Sequence, residues 1–244
     1  MNDLLNRVTA SHGGLKRWNK TTLLECEVAV TGLTWWRKGR PDALKEVHVS
    51  AHAHDQWISY RPFTGENKRS RCRPAHTIIE TLDGQLVRER HDPRSTFADD
   101  LHLAYFSGYA MWSYLTTRLL FAMESFEMEE LPPCRDGGQE HRRLKVAFPQ
   151  SIAHCREQVF YVDDNHLIAR LGYVAGLSGG VPDAHYLSDY VTTPPVQSIA
   201  DRTGRFGWRR EDCSLGWPWF AGSWRCGSKQ RRIEVCGSIR RLFA

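Results

Sequence analysis

Apolar and polar residues alternate with period two through most of the first 191 positions of this chain, the pattern of strands buried on one face. Leu24, Cys26, Val28 and Val30 alternate with Glu25, Glu27 and Ala29, which predicts a first strand. Val47, Val49, Ala51 and Ala53 alternate with His48, Ser50, His52 and His54, and Asp55-Gln56 turns the chain into Trp57-Ile58-Ser59-Tyr60, a hairpin. Three more strand pairs follow. They are Thr77 to Leu82 with Leu86 to Arg90 about Asp83-Gly84, Phe126 to Leu131 with Arg142 to Phe148 about Asp136-Gly137-Gly138, and Gln158 to Val162 with Leu167 to Tyr173 about Asp163-Asp164-Asn165. His185 to Val191 is one further strand. Connections this short make neighbouring strands antiparallel, because a parallel pair needs a crossover of about a dozen residues.

Two segments carry helical spacing instead. Leu4, Leu5 and Val8 precede Gly13-Gly14, residues suited to ending a helix in a left-handed conformation. Leu101 to Met123, with Tyr105, Phe106, Tyr109, Met111, Trp112, Tyr114 and Leu115, is apolar around most of its circumference and is expected to be enclosed by sheet. The fold class is therefore mainly β (α+β): a curved antiparallel sheet or half-open β-barrel of roughly eight to ten strands, with an N-terminal helix and a central aromatic-rich helix.

Composition changes this picture at one place. The chain has 244 residues, 41% hydrophobic and 25% charged, and a net charge of +5. From Thr192 to Ala244 there are nine Arg and one Lys against four acids, a balance of +6, whereas residues 1 to 191 hold 23 basic and 24 acidic residues, a balance of −1. The tail also holds four of nine Trp and three of seven Cys, with no His or Tyr. The organisation expected is one β-rich domain over 1–191 and a basic Arg/Trp/Cys-rich tail over 192–244, irregular or translated out of frame. Nucleic-acid binding through that tail, Arg on phosphates and Trp on bases, is an alternative role. The longest stretch free of charge and His, Leu103 to Thr117, is short of the 18 or so apolar residues a membrane span needs, so no membrane span is expected. The opening residues lack a secretory pattern and the seven Cys are scattered with no CxxC pair, which points to the cytoplasm.

Four pieces of text carry a resemblance: Ala10-Ser11-His12-Gly13-Gly14-Leu15-Lys16-Arg17-Trp18, Leu103 to Trp112, Arg156 to Tyr161, and Ala184 to Tyr190. Together they resemble an uncharacterised bacterial protein family, itself similar in strand and helix order to the lipoprotein-carrier (LolA/LolB-like) half-barrel. The resemblance covers about residues 10 to 191. It implies a half-open barrel closed by helices around an apolar cavity, and it carries over no catalytic residue.

The function expected on this basis is binding of a lipid-like or aromatic small molecule in an apolar cavity. Tyr105, Tyr109 and Trp112, one stripe at i, i+4 and i+7 of the central helix, are the expected ligand lining. An enzymatic alternative uses His185 as a base oriented by Asp189, since residues four apart on a strand share a face. Another holds a metal at His52 and His54, although the glutamate that cupin-type barrels place just beyond is missing here, and a solvated strand face explains the same residues. His154 and Ser178 mimic protease boxes, but lie only 24 positions apart on either side of one predicted hairpin. No nucleotide, dinucleotide or zinc-protease motif occurs, so no cofactor is expected.

Overall fold

The computed structural model describes residues 3–30, 35, 39–93, 99–120, 126–136, 138–149, 152, 155–175, 181–187, 190 and 237–238. Helices α1 (Asp3–Ser11) and α2 (Leu15–Trp18) open the chain. Six strands follow: β1 (Leu23–Val30), β2 (Leu44–His52), β3 (Ile58–Arg61), β4 (Lys68–Arg73), β5 (His76–Thr81) and β6 (Leu86–His91). Helix α3 (Asp100–Leu120) then leads to β7 (Glu127–Asp136), β8 (Gln139–Ala147), β9 (Glu157–Val162), β10 (Ile168–Ala175) and β11 (Val181–Tyr186). Gly237–Ser238 form β12, which pairs in parallel with Val28 and Ala29 of β1.

The strands make two sheets that do not close into a barrel, ordered β12-β1-β2-β3-β4-β5-β6 and β11-β10-β9-β8-β7. Both are meanders, and every pair except β12 with β1 is antiparallel, as short turns require. Period two sets the faces. Leu24, Cys26, Val28 and Val30 are buried on β1, and Val47, Val49, Ala51 and Ala53 are buried on and just beyond β2, leaving the intervening residues half-buried or exposed. One continuous core runs from sheet one (Leu24, Val49, Ile58) through α3 (Leu103, Trp112, Leu119) to sheet two (Leu144, Phe160, Leu171).

The predicted enclosure of the central helix is observed. No α3 residue of described exposure is exposed, and Leu103, Ala104, Met111, Trp112, Leu119 and Leu120 are all at most 3% exposed. Gly108 permits the closest approach to sheet one: a Cβ there would lie 2.9 Å from Ile58 Cγ2 and 3.1 Å from Cys72 Cβ. Three hydrogen bonds fix the helix on that sheet. Tyr60 Oη donates to Ser107 O at 2.8 Å, Cys72 Sγ to Ala104 O at 3.0 Å, and Trp112 Nε1 to His52 O at 2.8 Å.

The structure corrects the sequence reading at two strands. β4, Lys-Arg-Ser-Arg-Cys-Arg, was not predicted, because its inward positions are Ser70 and Cys72 and its outward ones are all basic. The strand expected at His185 to Val191 lies earlier, at Val181–Tyr186, where Pro182 is tolerated because β11 is an edge. The strand count rises accordingly above the eight to ten expected. Apart from Gly237–Ser238, the tail 192–244 lies outside the described residues, as do His154, Ser178 and Asp189.

Candidate functional site

The three aromatic residues predicted to line a ligand site border one cleft. Tyr105, Gly108, Tyr109 and Trp112 of α3 form one wall; Ile58 of β3, Cys72 and Arg73 of β4, Pro74 and Gln56 complete it. The two tyrosine rings lie 6.4 Å apart, as successive turns of one helix face place them. The lining is mostly apolar, with Arg73 and Gln56 as its polar members, and the closed floor has room for little more than a water molecule. Neither Cys72, in the lining, nor Tyr60 of β3, outside it, is poised for chemistry. Burial pushes the Cys72 thiol up to about 12, and burial likewise raises the Tyr60 hydroxyl well above its usual range, so both stay protonated and act as donors to helix carbonyls.

The His52 and His54 rings lie 6.4 Å apart, edge to face, at the end of β2. β2 ends at His52, and the next residues bend. His52 Nδ1 accepts from the backbone N–H of His54 at 3.2 Å and of Asp55 at 3.0 Å, which holds the β2–β3 turn in place of a metal ligand role for that nitrogen. The His54 ring packs edge-on against buried Trp18 at 5.0 Å. Among the described residues, no group of three possible metal ligands contains this pair.

His185 faces tyrosines. Its Nε2 is 2.8 Å from Tyr173 Oη, which is 3.3 Å from Tyr114 Oη of α3, so a row of three polar side chains links the helix to β10 and β11. Desolvation by burial lowers its pKa to about 4, and the neutral imidazole shares a hydrogen bond with the Tyr173 hydroxyl. With Asp189 outside the described residues, the expected acid-base pair has one visible member. Tyr186 and Tyr190 donate to Asp136 and to the Ile168 carbonyl respectively.

No model of a known protein family and no curated protein sequence matches the chain. Among solved structures it is similar to the LolA superfamily protein NE2245 from Nitrosomonas europaea, at 7% identity over 83% of this chain and 82% of that one, with a TM-score of 0.45. It is also similar to a DUF1329 family protein from Desulfovibrio piger, at 11% identity over 84% and 85% of the two chains, with a TM-score of 0.36. The likeness to the LolA fold is thus a distant one.

Two polar clusters escaped the sequence reading. On one face of sheet two, Arg170 donates to Asp136 at 2.7 Å, with side chains only 13% and 6% exposed, and its guanidinium lies 4.5 Å over the Tyr161 ring. On sheet one, His76, Glu89 and His91 converge although the chain separates the two histidines by a whole hairpin. The signal for the second lay in the hairpin itself: once the turn is placed at Asp83-Gly84, pairing outward sets His76 opposite His91.

Proposed function

We propose that this protein binds a small lipid-like or aromatic molecule between α3 and the inner face of β3 and β4. The observation that carries the reading is the aromatic wall of Tyr105, Tyr109 and Trp112 on a cleft whose other wall is sheet, with Arg73 and Gln56 at hand for a polar end of the guest. Ligand pockets enclose about 300 to 1,000 Å³, so the cleft must widen on binding. Helix α3 can supply that movement. Its backbone hydrogen bonds are internal, and the bonds from Tyr60, Cys72 and Trp112 that tie it to sheet one are made by side chains, so it can shift as a rod without breaking strand pairing.

The test is mass spectrometry of organic extracts from the purified full chain, together with titration by a fatty-acid series and an aromatic fluorescent probe followed through tryptophan emission. A co-purified apolar compound or saturable binding supports the proposal, and Tyr109→Ala, which alters a half-buried wall residue, is expected to weaken binding by roughly tenfold, about 1.4 kcal/mol. Absence of any saturable binding across the series, with no compound in the extract, refutes it.

A further inference from the structure

We propose that His76, Glu89 and His91 form a binding site for a divalent transition-metal ion, with Zn²⁺ the best match to the donors. His76 opens β5 and His91 closes β6, and the register sets them directly opposite each other; Glu89, two positions before His91, shares their face. The two imidazoles stack with centroids 4.3 Å apart and planes 3° from parallel. Both present Nε2 to the same carboxylate oxygen: Glu89 Oε2 is 3.0 Å from His76 and 4.0 Å from His91. All three ligating atoms lie within 4.8 Å of one another.

These distances approach those of a coordination shell. Tetrahedral Zn²⁺ with bonds of about 2.0 to 2.1 Å holds its ligand atoms about 3.4 Å apart, so small side-chain rotations bring the three atoms onto one ion. A hydrogen bond within the cluster uses only part of its donor set: one N–H bond from His76 to Glu89 fits the 3.0 Å contact, while the His91 ring nitrogen, 4.0 Å from the same oxygen, is beyond hydrogen-bond reach of it and faces water. Turning the two stacked rings out of parallel lets the in-plane lone pairs of both Nε2 atoms reach one cation together with a Glu89 oxygen. Two nitrogens and one oxygen favour Zn²⁺, Ni²⁺ or Cu²⁺ over the hard ions Ca²⁺ and Mg²⁺, which take oxygen. The His91 side chain is 78% exposed, so the remaining coordination positions open to water. The bound ion would clip β6, the outer strand of sheet one, to β5 close to where the chain leaves for α3.

The experiment is calorimetric titration of the full chain with Zn²⁺ after treatment with chelator. One equivalent is expected to bind with a dissociation constant on the order of micromolar. His91→Ala and Glu89→Gln should each weaken that binding by at least the roughly tenfold that loss of even an outer-shell partner costs, and His52→Ala should leave it unchanged. Glu89→Gln keeps the side-chain shape, so it remains informative if the alanine variant fails to fold. Co²⁺ loaded in place of Zn²⁺ should give a ligand-field spectrum without a thiolate charge-transfer band. Failure of Zn²⁺ to bind, affinity in both variants unchanged from that of the unaltered chain, or a thiolate band each overturns the assignment.

Discussion

At the scale of single residues, burial decides which polar groups stay inert and which report on pH. His185 is neutral at pH 7 because burial lowers its pKa to about 4, below the ordinary value of 6.5. The unfolded chain therefore takes up this proton first as pH falls. Its contribution to stability is complete above about pH 6.5 and is lost progressively down to pH 4. The ring keeps some contact with water, so the loss is on the order of 1 to 2 kcal/mol. His185→Gln should flatten the decline in urea-unfolding free energy between pH 6.5 and 4; an unchanged slope would show that other groups cause it. Asp136 is a second such residue. Replacing it with Ala leaves the Arg170 guanidinium buried beside Tyr161 without its carboxylate, which is expected to cost about 3 kcal/mol, read as a lower midpoint in chemical denaturation. Neither environment was legible in the sequence, because Asp136 was read as part of a turn and His185 was paired with Asp189 by spacing alone. Both depend on which strands lie side by side, and spacing within one strand carries no information about its neighbour.

At the scale of elements, periodicity was a sound guide wherever apolar residues supplied the inward stripe. β1 and β2 follow it, and α1 ends at Ser11, just before Gly13-Gly14 as its text predicts, with both glycines at positive φ. β4 shows the limit. Its buried residues, Ser70 and Cys72, are both small, and α3 passes close to Cys72 at Gly108, so the strand lacks the large apolar stripe that would have marked it. This contact also yields a prediction. Gly108→Ala introduces a methyl against Ile58 and Cys72, and neither contacted atom is the end of a flexible chain. The helix must lift from the sheet, at about 1 to 3 kcal/mol. If the same variant binds the aromatic probe more readily, the widening of the cleft by α3 is supported from a second direction.

At the scale of the whole molecule, the two sheets share no strand pair among the described residues. Helix α3 and the side chains around it carry the connection, joined at the periphery by Ser11 Oγ donating to Asn165 O and Gln56 Nε2 donating to Ile152 O. The core is nonetheless continuous across both sheets. The body should unfold as one cooperative unit, with tryptophan fluorescence and far-ultraviolet circular dichroism giving coincident transitions in urea. Separated transitions would mean that the halves are independent domains.

The unclosed arrangement leaves β6 as the outer strand of sheet one, with Leu86 and Val87 exposed at its start. A bare row of peptide groups at such a margin invites another chain to extend the sheet. Arg88, Glu89, Arg90 and His91 occupy the rest of that strand, and their charge and hydration oppose such stacking of copies. The charge along this outer strand thus helps to keep the protein from polymerising through its sheets.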